Sequence, residues 1–222
     1  MKNSHLKQGY FLEFLEKNRR DRFDHYFCGP CSVPKLKCPS CGLTPLQSLS
    51  LDCRDTRLGL PNLVGARLPL LFCWRCPLGQ SEFYYRLKED NGVEWLSYAE
   101  GPASDDFPYE AYPRYFPGAR VTLVPIKPSE QKIIHGLNHE EIDFTEHPKF
   151  SIPQHQVGGE PYMLQPLPED FECPKCKDPM HFFAAIGDET LAAKGFTGNP
   201  FVQAIYHLCP ACLILGAYQQ CD

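Results

Sequence analysis

Ten of the twelve cysteines stand in Cys-x-x-Cys pairs, and four of these five pairs form two quartets: Cys38, Cys41, Cys73 and Cys76, then Cys173, Cys176, Cys209 and Cys212. Two residues between thiolates let one tight turn aim both sulfurs, and nearby backbone N–H groups, at a single ion. Two such turns, brought together at the end of a hairpin, complete a tetrahedron around Zn2+ with Zn–S near ~2.3 Å. A site filled by four thiolates keeps no open position, so two structural rather than catalytic zinc ions are expected. Pairing of the Cys-x-x-Cys units across the quartets, instead of within them, is the alternative arrangement.

The quartets repeat one phrase. "CPSC" at Cys38 and "CPKC" at Cys173 are each followed by a proline and an apolar run, and each chain segment returns on a second apolar run ("LPLLFC", "IYHLC"). The inner cysteines are separated by 31 residues in the first quartet and 32 in the second. A fixed spacing of this kind reads as an internal duplication of a two-knuckle unit. The gap exceeds the ~15–20 residues of a compact zinc pattern, so each unit must carry an inserted loop.

Cys28-Gly29-Pro30-Cys31 reproduces the redox motif of thioredoxin-like proteins. Such a dithiol works because its first cysteine sits at a helix N-terminus that lowers the thiol pKa. Here Pro34 and the knuckle at Cys38 leave no room for that helix, which favours a plain turn. A third metal site that recruits His25, Cys53 or Cys221 is the alternative use of the pair. Among the histidines, His207 lies in an apolar run two residues before Cys209 and is expected to pack against that knuckle. His135, His139 and His147 stand among Glu140, Glu141, Asp143 and Glu146 but do not spell His-Glu-x-x-His. No Gly-x-Ser-x-Gly, P-loop or Gly-x-Gly-x-x-Gly occurs. No catalytic residues are therefore assigned and an enzyme is not expected; thiol redox through Cys28 and Cys31, or hydrolysis, would be the enzymatic alternatives.

The elements that must position these groups are short, as 22 prolines and 16 glycines among 222 residues require. Tyr10, Phe11, Phe14 and Leu15, with charged residues between and after them, suit an amphipathic N-terminal helix. "QSEFYYRLK", "ARVTLVPI", "MHFFAAI" and "FVQAIYHL" read as strands. The expectation is an α+β, β-rich fold of two zinc-knuckle units beside an N-terminal helix. Residues 1–90 would hold the helix and first unit, 91–150 a proline-rich connecting segment with a strand, and 151–222 a Gly-Gly-x-Pro turn and the second unit, all of which could form one pseudo-symmetric globule. Aromatic residues in the connecting segment, Phe107, Tyr109, Tyr112, Tyr115 and Phe116, imply that it packs on something.

Net charge is −5, divided as +5 over residues 1–90 and −10 over residues 91–222. The basic half could meet an acidic partner or RNA, whereas the acidic remainder would repel a polyanion. The N-terminus is charged, and the longest apolar run, Leu68 to Trp74, is far shorter than the ~20 residues of a membrane span. A soluble, cytoplasmic protein without membrane contact is expected. Twelve cysteines in that reducing setting argue for metal rather than disulfides.

One further stretch carries a resemblance. "IPQHQVGGEPYMLQP" (Ile152 to Pro166), followed by Cys-Pro-x-Cys, a Met-x-Phe run, "YHLCPAC" and a terminal "QQCD", resembles the YwqG-like family of bacterial proteins of unknown function over residues 151–222. It is more distantly similar to the C-terminal region of programmed cell death protein 2. The resemblance implies a mainly β domain, no catalytic residues to carry over, and a protein-binding role of an immunity-like or chaperone-like kind. Taken with the residues, it points to a zinc-stabilised scaffold that binds another protein, with Gln154, His155 and Glu160 as a candidate partner surface beside the Gly158-Gly159 turn. A nucleic-acid-binding zinc ribbon is the alternative, and would need Arg54, Arg57, Arg67, Arg75, Arg86 and Lys88 on one face.

Overall fold

Apolar runs of three to eight residues, cut by proline and glycine, are too short for helices and pair instead as strands. A computed structural model describes residues 6–16, 19, 21–60, 63, 67–76, 83–88, 92–97, 109–166 and 171–221. The strands are β1 (Tyr10–Phe14), β2 (His25–Phe27), β3 (Leu46–Asp52), β4 (Arg67–Phe72), β5 (Phe83–Leu87), β6 (Val93–Ser97), β7 (Ala119–Pro125), β8 (His155–Val157), β9 (His181–Gly187), β10 (Val202–Cys209) and β11 (Ile214–Cys221). They join one sheet in the order β4-β3-β2-β7-β1-β8-β9-β10-β11-β5-β6, and every neighbouring pair is antiparallel. The N-terminal, middle and C-terminal thirds of the chain are thus interleaved in that sheet.

The expected α+β fold with an N-terminal helix is overturned, because the molecule is mostly β. The segment read as that helix forms β1, which is hydrogen-bonded on both sides, to β7 (Leu12 opposite Leu123) and to β8 (Tyr10 opposite Val157). Tyr10 and Leu12 are buried with Phe11 between them only partly so, a period of two that a helical reading of Tyr10, Phe11, Phe14 and Leu15 obscured; Phe14, at the strand's end, is half exposed. A helix does form among the described residues, in the proline-rich segment: α1 (Pro128–Asn138). Pro128 occupies its first turn, where the missing N–H costs nothing, and Glu130 accepts from the backbone N–H of Lys127 at 2.9 Å. No helix among the described residues is long and apolar enough to cross a membrane.

The sheet curls so that its two ends approach. The Tyr206 hydroxyl on β10 meets the Ser48 hydroxyl on β3 at 3.0 Å inside the core, and Ser48 donates to the carbonyl of Leu70. All seven residues of β3 and all eight of β10 are buried. The interior is rich in rings: Trp74 stacks on Phe196 at 5.2 Å between ring centres, and Phe116 meets Phe196 edge-on. Tyr109 and Tyr112 donate to the carbonyls of Gly195 and Phe196 and Phe116 is buried, so part of the aromatic connecting segment packs as expected; Tyr115 instead is half exposed, and Phe107 lies outside the described residues.

Candidate metal centres

Each cysteine quartet closes the open end of a hairpin. The knuckle at Cys38 and Cys41 precedes β3, the one at Cys73 and Cys76 follows β4, and Leu46 pairs with Phe72 between them. In the second unit Cys173 and Cys176 precede β9, Cys209 ends β10 with Cys212 after it, and His181 pairs with Leu208. Both quartets thus flank a two-stranded antiparallel hairpin.

The knuckles share a local turn. The amide of Gly42 donates to the Cys38 carbonyl at 2.8 Å, and the amide of Lys177 donates to the Cys173 carbonyl at 3.0 Å. Both donors adopt left-handed angles (φ 71° and 63°), as does Leu213 after Cys212 (φ 54°). That twist turns backbone N–H groups towards sulfur: those of Ser40 and Cys41 serve Cys38, those of Lys175 and Cys176 serve Cys173, and that of Cys212 serves Cys209. Such donors stabilise thiolate over thiol.

In the first quartet Sγ–Sγ separations are 3.4 Å for Cys38–Cys76, 3.5 Å for Cys41–Cys73 and 3.4 Å for Cys73–Cys76. In the second, Cys176 and Cys209 are 3.7 Å apart, and all four sulfurs of each group lie within 4.8 Å of one another. A tetrahedron with ~2.3 Å bonds needs sulfurs roughly 3.8 Å apart, whereas a disulfide needs ~2.05 Å. The donor set therefore fits two tetrahedral metal sites, and all twelve cysteines are free. Four thiols at this spacing cannot all ionise without a cation. Hydrogen bonds from Cys73 and Cys76 favour the thiolate at Cys38, and the contacts with Cys38 and Cys41 disfavour it at Cys73.

Among the described residues, Cys28 and Cys31 belong to no group of ligand atoms close enough to share one ion, and neither thiol pKa is lowered as a redox dithiol needs. Cys28 is fully buried at a left-handed turn (φ 51°), and burial pushes both thiols up. Gln47 latches the turn, donating to the carbonyls of Cys28 and Pro30 and accepting from the amide and hydroxyl of Ser32. The ligands suggested for a third site are engaged elsewhere or apart. His25 accepts from the Asp52 amide at 3.1 Å and bonds Asp55 at 3.0 Å; Cys53 is buried against Leu51, and Cys221 is exposed.

The candidate partner surface breaks up. Gln154 is exposed, but His155 is buried in β8 against Phe27 (ring centres 4.6 Å apart), and burial lowers its pKa to about 4. Glu160 is mostly covered and faces α1. His207 packs as expected, stacked on Phe171 beside the second quartet. The six basic residues proposed for nucleic acid are largely neutralised: Arg54 pairs with Asp52, Arg57 with Asp55, Arg67 with Asp24 and Arg86 with Glu94.

Sequence reasoning passed over two features. A cleft of about 210 Å³ beside the first quartet is lined by Lys37, Leu43, Trp74, Arg75, Tyr112 and Arg114, residues scattered over 78 positions. His135, His139 and Glu160 also bring ligand atoms within 4.8 Å of one another. The His135-x-x-x-His139 spacing was the available signal, hidden because glycine follows His135 where a hydrolase has glutamate. No family model, curated protein or solved structure matches the chain.

Proposed function

We propose that the chain is a scaffold held by two structural zinc ions, one per quartet, and that it binds another protein through the cationic cleft beside Cys73. The cleft carries the reading. Three cations converge there in a chain whose net charge is −5, with Leu43 half exposed at its rim. The Trp74 indole N–H is buried without a hydrogen-bond partner among the described residues. About 210 Å³ is below the ~300–1,000 Å³ of a cofactor site. It suits one or two side chains, here an acidic group with an apolar neighbour from a partner protein.

The zinc ions would act by fixing this wall, because Cys73 and Trp74 belong to the cleft and to the knuckle together. The resemblance to YwqG-like proteins and to programmed cell death protein 2 supports binding over catalysis, of an immunity-like or chaperone-like kind. Ion pairing of Arg54, Arg57, Arg67 and Arg86 weighs against a nucleic-acid face. Affinity capture from native cells should recover a protein with the wild-type chain and lose it with Lys37→Glu/Arg114→Glu, at unchanged zinc content. Equal recovery by both chains, or recovery abolished by ribonuclease, would overturn the proposal.

A further inference from the structure

We infer a third metal site, distinct from the cysteine quartets: His135, His139 and Glu160 hold a first-row divalent cation such as Zn2+ with part of its coordination sphere open. The two histidines are four residues apart, His135 on α1 and His139 at its C-cap, so their rings meet on one side of the helix, tilted with centres 4.4 Å apart. Glu160 reaches them from the Gly158-Gly159 turn. Its carboxylate lies 3.0 Å from His135 Nδ1 and 3.9 Å from His139 Nε2. Bonds of about 2.0–2.2 Å to nitrogen and oxygen in a tetrahedron place ligand atoms roughly 3.4 Å apart. The observed distances bracket that value, so small ring rotations would close the site.

The carboxylate is held in advance. Asn138 Nδ2 donates to Glu160 Oε1 at 2.9 Å and to the Pro161 carbonyl at 2.8 Å, while its Oδ1 accepts from the Met163 amide. Gln131 Nε2 donates to the Glu160 carbonyl at 2.7 Å. Two side chains of α1 therefore clamp the turn that carries the third ligand, and the turn itself enters through two left-handed glycines (φ 67° and 62°). Hydrogen-bonded support of this kind orients metal-binding carboxylates.

Burial separates this site from the quartets. The Glu160 side chain is 14% exposed, whereas those of His135 and His139 are 50% and 45% exposed. Three protein ligands at a solvent-facing surface leave room for water or an incoming donor, in contrast to a closed four-thiolate site. Two imidazoles and a carboxylate also suit zinc, copper, nickel or iron better than magnesium or calcium.

The test uses the full chain with its cysteine sites loaded. Zinc chloride titrated by calorimetry, with metal content measured after gel filtration, should show one further equivalent beyond the tightly held ions, removable by mild chelation. His135→Ala/His139→Ala and Glu160→Gln should each weaken that equivalent at least tenfold and leave the tightly held zinc and the melting temperature unchanged. The histidines are exposed, so their loss should not unfold the chain. No further equivalent in the wild type, or one that persists in the double variant, would overturn the inference. Neither result bears on capture through the Arg114 cleft.

Discussion

The Tyr85 hydroxyl donates to the Pro69 carbonyl at 2.9 Å and accepts from the Leu71 amide at 3.0 Å, so a side chain of β5 completes the outer edge of β4. These strands stand first and tenth in the sheet order, and the contact forms because the sheet curls. An unpaired strand edge exposes amides and carbonyls that invite other chains. Here Pro69 supplies no N–H, and the ring of Tyr85 is wholly buried.

Tyr85→Phe keeps the packing and removes both hydrogen bonds. The Leu71 amide and the Pro69 carbonyl are then left in the core without their partner, at an expected cost of about 1–3 kcal/mol in urea unfolding. A change below about 0.5 kcal/mol would mean that water reaches this edge.

Stripping the structural metal should be more drastic. A zinc site of this type contributes on the order of 10–16 kcal/mol, against about 5–15 kcal/mol for the net stability of a domain. Two tightly held zinc ions per chain are expected, and Cys173→Ser should lose one or aggregate, whereas Cys221→Ser should keep both. A metal-free preparation with an unchanged cooperative melt would refute the structural role.

The quartets were legible because ligand spacing is a local property, written in Cys-x-x-Cys pairs at the ends of apolar runs. The fates of β1 and α1 were not local. Tyr10, Phe11, Phe14 and Leu15 fit either period over so short a run, and pairing with β7 and β8 decides for the strand. The α1 signals, Pro128 and Glu130, were present but surrounded by prolines that suggested loops. His155 resembled a surface residue next to exposed Gln154, yet β8 lies between β1 and β9 with all three of its residues buried, and the ring packs on Phe27. The Arg114 cleft joins residues far apart in sequence, so only the folded chain shows it.

Burial of His155 gives a signed pH dependence. Its folded pKa is about 4 against 6.5 in the unfolded chain, because desolvation disfavours the imidazolium. Between those values the unfolded state takes up the proton and the folded state does not. The contribution to stability is therefore complete above about pH 6.5 and is lost as pH falls towards 4, by about 3 kcal/mol in all. Unfolding free energies from pH 7 to 4 should fall less steeply in His155→Phe than in the wild type. Parallel curves would show that water reaches the ring.

Cys28 should be inert. With its thiol pushed up by burial and no exposed surface, it should resist iodoacetamide at pH 8 while exposed Cys221 reacts. Catalytic reduction of insulin disulfides that disappears in Cys28→Ser would contradict the latched-turn assignment.

Gly159 links the fold to the candidate site on α1. Its φ of 62° disfavours any side chain, and an added Cβ would lie 2.7 Å from the Gly9 Cα and 2.8 Å from the Gly9 nitrogen, where backbone cannot yield as a flexible side chain could. Gly159→Ala should therefore cost about 1–3 kcal/mol, the range for a residue forced into a sparsely populated conformation. Because Glu160 follows directly and is clamped by Asn138 and Gln131, the same change should displace the carboxylate from His135. Gln154→Ala is the control: its side chain is exposed, and stability should stay within about 0.5 kcal/mol. Calorimetric zinc titration of the two variants, run where both remain folded, should then show weaker third-site binding in Gly159→Ala alone. Equal affinity in both would mean that Glu160 reaches the histidines without the glycine turn, and the clamp from α1 would be sufficient to place it.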